Sequence, residues 1–178
     1  MLNKTKSYFI FLLIAFSFLF SFSLSAQNIQ QAKIDSLVEK LSQAKEDSNK
    51  VKLFEVILFH HQYYKCEEGL KYEKPALELA EKLKWKIGVA RIKNMSGRIY
   101  WRLGKFDEAL KRHFDALLLY TEANDQESLA QCLTNLGQDY ADGGKYSQAL
   151  IFFKKALKKY KATGNKKQMT IVLMLLAL

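Results

Sequence analysis

One proline and two cysteines stand in 178 residues, and each scarcity removes a class of structure. With so little proline and 49% apolar residues, a compact, largely helical chain is favoured over a disordered one. Two cysteines do not make the disulfide framework of a small secreted scaffold. Cys66 and Cys132 fall at different positions of the internal pattern described below. Their Cα atoms are therefore not expected within the ~7 Å that a bridge requires, and both read as small buried or half-buried thiols. The three histidines are poor ligand candidates. His60 and His61 are neighbours, about 100° apart on a helix, and cannot chelate as an i, i+4 pair does. His113 stands alone.

Catalytic and cofactor signatures are missing as well. Gly143-Gly144-Lys145 lacks the upstream glycine and the following Ser or Thr of a phosphate-binding loop. There is no G-x-S-x-G or catalytic Cys/His arrangement, and the acidic residues follow helix surfaces rather than converging. The expectation is a protein that is not an enzyme and takes no metal or cofactor.

Residues 1–26 contain no acidic side chain. Lys4 and Lys6 precede an apolar, Ser/Phe-rich run from Tyr8 to Leu24, then come Ser25 and Ala26, and polar sequence begins at Gln27. This order reads as a signal peptide over 1–26, cut after Ala26, although Leu24 occupies the third position back, where a small residue is usual. An uncleaved anchor is the alternative, because a run of about 17 residues lies at the lower limit for spanning a bilayer. No cysteine lies near the cut, so a lipoprotein anchor is not indicated. The protein is expected to be exported, to the periplasm or cell envelope, touching membrane only through this segment or through one beyond Leu178.

The formal charge is +10; residues 1–26 hold two lysines and no acid, so the remainder carries +8. That sign fits nucleic acid in principle, but an exported protein seldom meets any. Lys154, Lys155, Lys158, Lys159, Lys161, Lys166 and Lys167 are interleaved through one helix and its turn. They read as a solvated face whose aliphatic stems cover apolar surface. No nucleic-acid partner is expected.

What the chain does contain is an internal echo. Ala90, Gly97, Tyr100, Gly104, Ala109, Ala116 and Tyr120 recur 40 residues on as Ala130, Gly137, Tyr140, Gly144, Ala149, Ala156 and Tyr160. A fixed period in this range means stacked units, none able to bury its apolar face alone. Within a unit, apolar residues recur at helical spacing in two blocks split by a glycine turn, at Gly104-Lys105 and at Gly143-Gly144. Each unit is a helical hairpin. Gly97 and Gly137 are expected to let the two helices approach, with Ala109 and Ala149 facing them. Tyr100, Phe106, Tyr140 and Tyr146 are expected to fill the remaining space.

A weaker first unit lies 40 residues earlier, where Ala76 and Leu77 match Ala116 and Leu117. Pro75 falls inside its second helix, which predicts a kink or a late helix start. Ahead of it, Ile34, Leu37, Val38 and Leu41 form a one-sided stripe, a leader helix at about 30–45 expected to cap the stack. Met169 to Leu178 matches the first helix of a fourth unit, and nine of these ten residues are apolar. Either the chain is a piece of a longer repeat protein, or this helix pairs with another subunit.

On Gly97, Tyr100, Gly104, Phe106, Ala109 and Ala116, and on their counterparts 40 residues later, the chain resembles the tetratricopeptide repeat family. It departs from the family pattern where Trp is usual, which here is Lys93 or Leu133, and it lacks the closing proline. The resemblance implies an all-α fold, a right-handed superhelical stack of antiparallel helix hairpins. The domains expected are the signal peptide at 1–26, a leader at 27–47 and an array at 48–178. That array comprises three hairpins and the first helix of an incomplete fourth. The signal peptide, the leader helix, the Asp47-to-Leu53 entry and the 40-residue units together resemble the exported sensory region of certain bacterial signalling proteins.

Carried over residue by residue, the family's groove positions imply a concave wall of Arg91, Asn94, Arg98, Trp101 and Arg102. In the third unit they are Gln131, Thr134, Asn135, Gln138 and Asp142. Arg91, Arg98 and Arg102 stand seven and four residues apart and so share a face. Guanidinium forks pair with carboxylates, and Trp supplies a rigid anchor. The implied partner is a protein or peptide, with an acidic or C-terminal segment in the groove. The alternatives are that these arginines are merely solvated while Trp101 packs on its neighbour, that Asn135 is structural, and that the repeats self-assemble through Met169–Leu178 or form a fragment without a ligand of its own.

Overall fold

A left-handed backbone residue recurs every 20 positions, at Lys84, Gly104, Asn124, Gly144 and Gly164, and this spacing sets the architecture. In the computed structural model, which describes residues 27–177, the chain is helical at 27–43 (α1). There follow α2 (Ser48–His61), α3 (Cys66–Leu70), α4 (Glu73–Lys82), α5 (Lys86–Arg102), α6 (Phe106–Glu122), α7 (Gln126–Asp142), α8 (Tyr146–Thr163) and α9 (Lys166–Leu176). The signal-peptide segment lies outside the described residues. Two compact units are present, one ending at Ser42 and one starting at Gln43. In the first, Ile34 and Leu41 of α1 are buried, and Leu37 and Val38 are half-buried between them on the same stripe.

Each recurring turn closes the preceding helix with the same pair of backbone bonds. Lys105 N–H reaches back to the Tyr100 carbonyl at 3.0 Å and Gly104 N–H to Trp101 at 2.9 Å. Asp125 to Tyr120 with Asn124 to Thr121, and Asn165 to Tyr160 with Gly164 to Lys161, repeat the arrangement. This is the 6→1 and 5→2 pattern that satisfies the last carbonyls of a helix, and it needs a positive φ. Gly104 and Gly144, both at φ 72°, adopt it without a Cβ penalty. The residue after the turn starts the next helix. Asp125 and Asn165 cap it with their side chains, accepting from Ser128 N and Gln168 N at 3.1 Å.

The resulting helices pair as α5 with α6 and α7 with α8, while α2 packs on the broken pair α3 and α4. Neighbouring hairpins join through α2 on α5 and α6 on α7, and the last helix, α9, packs on α8. The second unit of the chain is therefore an all-α stack of antiparallel hairpins, as the period implied. The late start near Pro75 is also present. The second helix of the first hairpin breaks between α3 and α4, placing Pro75 in the first turn of α4, where its missing N–H has no intrahelical acceptor to lose.

Packing corrects one expectation. The groups that sit on the close-approach glycines are not Ala109 and Ala149 but rings one turn further along. A Cβ on Gly97 would lie 2.6 Å from the His113 ring, and one on Gly137 would lie 2.5 Å from the Phe153 ring. Ala109, Ala149, Ala116 and Ala156 are buried around them, together with the fully enclosed rings of Tyr120 and Tyr160. Phe106 and Tyr146 do not fill the core, being 50% and 72% exposed. They stand in the first turn of α6 and α8, at the rim of the hairpin, and Phe106 instead leans on Trp101 with ring centres 4.4 Å apart. The lysines of α8 are mostly exposed. Lys155 lies over the Phe152 ring and Lys159 bonds Gln126, as a solvated face does.

Gly137→Ala should therefore overpack the α7–α8 contact and lower stability by ~1–3 kcal/mol. Urea unfolding followed by circular dichroism checks this. An unchanged midpoint would mean that the Phe153 ring does not rest on Gly137.

Candidate functional site

The first helices of successive hairpins, α2, α5 and α7, stand side by side, and a groove of about 390 Å³ opens across them. Its lining is Tyr63 in the turn after α2, Arg98, Trp101 and Arg102 on α5, and Asn135, Gln138, Asp139 and Asp142 on α7. Spacings of three and four bring these residues to one helix face.

Arg98 is half-buried and donates from Nη2 to the Tyr63 hydroxyl at 3.3 Å. Burial pulls its guanidinium below the ordinary value, the Tyr63 hydroxyl opposes that, and Arg102 adds to it. Arg102 lies over the Tyr63 ring, 4.5 Å from its centre. Trp101 donates from Nε1 to Asp142 Oδ2 at 3.0 Å and so ties the second hairpin to the third.

Beneath this surface lies a polar layer that fixes the wall. Asn135 Nδ2 donates to Asn94 Oδ1 at 3.0 Å, and Gln131 donates to Asn135 Oδ1 at 3.4 Å. His113 is fully enclosed. Its Nε2 faces the Asn94 carbonyl at 3.2 Å, which only accepts, so this nitrogen carries a proton; its Nδ1 meets the Asp139 carboxyl. Burial pushes the Asp139 carboxyl above the usual range, and the bond from His113 opposes the shift. A second buried carboxylate, Glu73, accepts from Ser96 at 2.8 Å and Tyr100 at 3.0 Å and pairs with Arg112 at 2.6 Å. It joins the first hairpin to the second.

Of the positions carried over from the repeat pattern, Arg98, Trp101, Arg102, Asn135, Gln138 and Asp142 line the groove, whereas Arg91, Asn94, Gln131 and Thr134 do not. Arg91 is drawn into an ion pair with Glu55 at 3.2 Å. Asn94 and Thr134 are buried, and Thr134 turns its hydroxyl to the Ala130 carbonyl. Gln131 accepts from Tyr160 at 3.3 Å. Asn135 is both structural and part of the wall.

The pattern missed Tyr63 and Asp139. Tyr63 was hidden because the first hairpin is out of step: Glu55–Arg91 and Tyr63–Arg98 pair at separations of 36 and 35, against 41 for Asn94–Asn135 and Trp101–Asp142. Asp139 was legible only through His113, a polar ring at a core position.

Among the described residues, no group of three His, Cys, Asp or Glu converges as a metal site would. His60 and His61 are both buried, and His61 Nδ1 meets the carbonyls of Tyr64 and Lys65 at 3.1 Å. Among the same residues, no helix is long and apolar enough to cross a membrane.

Residues 88–162 match the family model described as Tetratricopeptide repeat. No curated protein matches the sequence. Among solved structures, the chain is similar to BtubC from P. vanneervenii at 21% identity, over 77% of this chain and 58% of that one, with a TM-score of 0.64. It is similar to a signal transduction ATPase with numerous domains from Pyrococcus horikoshii, which carries a tetratricopeptide repeat sensor. There the identity is 21%, the coverage 84% of this chain and 24% of that one, and the TM-score 0.69. The tetratricopeptide repeat domain of Arabidopsis FLU aligns at 17% identity over 75% of this chain and 98% of that one, with a TM-score of 0.54. These likenesses show the fold, and the chain spans little more than half of the first structure and about a quarter of the second.

The two thiols, both free, test the packing of the stack. Cys132 is fully enclosed, donates to the His113 carbonyl at 3.2 Å, and is pushed upward in pKa by burial. Cys66 is only half-buried. A thiol reagent such as DTNB should modify Cys66 in the native protein and reach Cys132 only on unfolding. Equal native rates would contradict the packing described.

Proposed function

Because residues 88–162 match the tetratricopeptide repeat model and the fold is that of tetratricopeptide repeat structures, we propose that the protein is a non-catalytic module that binds a protein or peptide in the groove across α2, α5 and α7. The observation that carries this reading is the wall itself. Arg98 and Arg102 stand beside Tyr63 and Trp101, two cations and two amphipathic rings opening onto one cavity of about 390 Å³. Arginine and tryptophan are the side chains that most often dominate binding energy in such settings. The buried Asn94–Asn135 bond and the Tyr63–Arg98 bond hold the wall in place before any ligand arrives, which lowers the ordering cost of binding. An acidic segment or a C-terminal carboxylate suits the guanidinium pair.

The protein acts in this reading outside the cytoplasm, as the sensory or scaffolding part of a signalling system. The charged-then-apolar order of residues 1–26 supports export. The sensor role given to the repeats of the Pyrococcus ATPase is a precedent for sensing by this fold.

A self-assembling role is the second reading, favoured by α9. Leu173 and Met174 are 51% and 67% exposed there, beside an apolar cavity of about 530 Å³ lined by Leu150, Phe153, Leu175 and Leu176 among others. Light scattering separates the two, since deleting residues 169–178 should change the oligomer only if that face assembles.

For the groove, peptides selected on the wild-type protein should lose at least tenfold in affinity to an Arg98→Ala/Trp101→Ala variant with an unchanged helical signal. Undiminished binding to the folded variant would overturn the proposal.

A further inference from the structure

The charges of the groove are sorted by wall. Arg98 and Arg102, one turn apart on α5, form the cationic side and repel each other. Asp139 and Asp142, three residues apart on α7, form the acidic side and also repel each other. Elsewhere in the stack opposite charges meet directly, across hairpins in Arg91–Glu55 and Arg112–Glu73, and within one hairpin in Lys86–Glu122 and Lys82–Glu46. Among the described residues Arg98, Arg102 and Asp142 enter no ion pair, although they line one cavity. Asp139 is spoken for by His113. Asp142 is exposed and bound only through the neutral indole of Trp101. The groove thus offers, on one side, two guanidiniums outside any ion pair, Arg98 bonded to the Tyr63 hydroxyl and attracted by Asp139, and Arg102 over the Tyr63 ring, and on the other side the exposed carboxylate of Asp142.

From this we infer that the groove takes an extended peptide segment carrying both signs, an acidic side chain for Arg98 and Arg102 and a basic one for Asp142. The inference rests on the groove reading above and specifies its ligand. Adjacent packed helices stand about 8–10 Å apart. An extended chain advances roughly 3.3–3.6 Å per residue, so crossing from α5 to α7 takes two or three residues. The segment therefore carries its acidic and basic residues two or three apart and runs across the helices, with Trp101 supplying the apolar contact between them and Tyr63 backing the arginines on the α2 side. A purely acidic ligand meets the guanidiniums but leaves Asp142 facing a like charge, which costs affinity.

Fluorescence polarisation on the full chain tests this with labelled decapeptides, built on a sequence that binds in an Arg98- and Trp101-dependent way. One series places Glu and Lys two or three residues apart, a second replaces the Lys by Ala, and a third replaces the Glu by Ala. The mixed peptides should bind at least tenfold more tightly than either single-charge series. Asp142→Asn, which keeps an acceptor for Trp101, should shrink the advantage over the acidic series to less than twofold. If the acidic series binds wild type as tightly as the mixed one, the two-sign ligand is overturned while the groove stands. If no peptide shows dependence on Arg98 and Trp101, the groove reading falls and this inference with it.

Discussion

The structure depends on how closely two helices of a hairpin approach at one glycine. At Gly97 and Gly137 the backbone of the first helix lies against a ring of the second, His113 or Phe153, with no room for a Cβ. That contact fixes the tilt and register within the second and third hairpins. The enclosed alanines and the Tyr120 and Tyr160 rings then carry the packing through the stack. Interiors packed to this density transmit position, so the groove residues on α5 and α7 are held by contacts on the opposite faces of the same helices.

The two hairpins solve the same packing problem with different chemistry. Phe153 makes an apolar contact, whereas His113 brings a ring that needs partners inside the core. It finds them in the Asn94 carbonyl and Asp139. This links α5, α6 and α7 in one polar layer directly under the groove. A buried polar network of this kind costs more than an apolar core unless every member is satisfied. The arrangement therefore couples the integrity of the groove wall to a few specific hydrogen bonds.

Most of the fold was legible in the sequence because the 40-residue echo reports backbone geometry. Gly104 and Gly144 mark left-handed turns, Gly97 and Gly137 mark close approaches, and Pro75 marks the broken helix, each for a local reason. Phe106 and Tyr146 misled, since an aromatic in the first turn of a helix overhangs the rim instead of entering the core. The site was legible in part. Arg98, Trp101 and Arg102 share a helical face by spacing alone. Arg91 belongs to the same face but is captured by Glu55 from the first hairpin, and no periodicity within the second hairpin reveals that. Tyr63 escaped because the first hairpin is shorter, its first helix starting 38 residues before α5 rather than 40.

The most direct test of the helix-pair contact is the proton NMR spectrum of the two glycines. If the hairpins close as described, the α-protons of Gly97 and Gly137 show strong through-space cross-peaks to the ring protons of His113 and Phe153, with ring-shifted resonances. Glycine resonances at random-coil positions, lacking those cross-peaks, would contradict the stacked arrangement and the groove built on it.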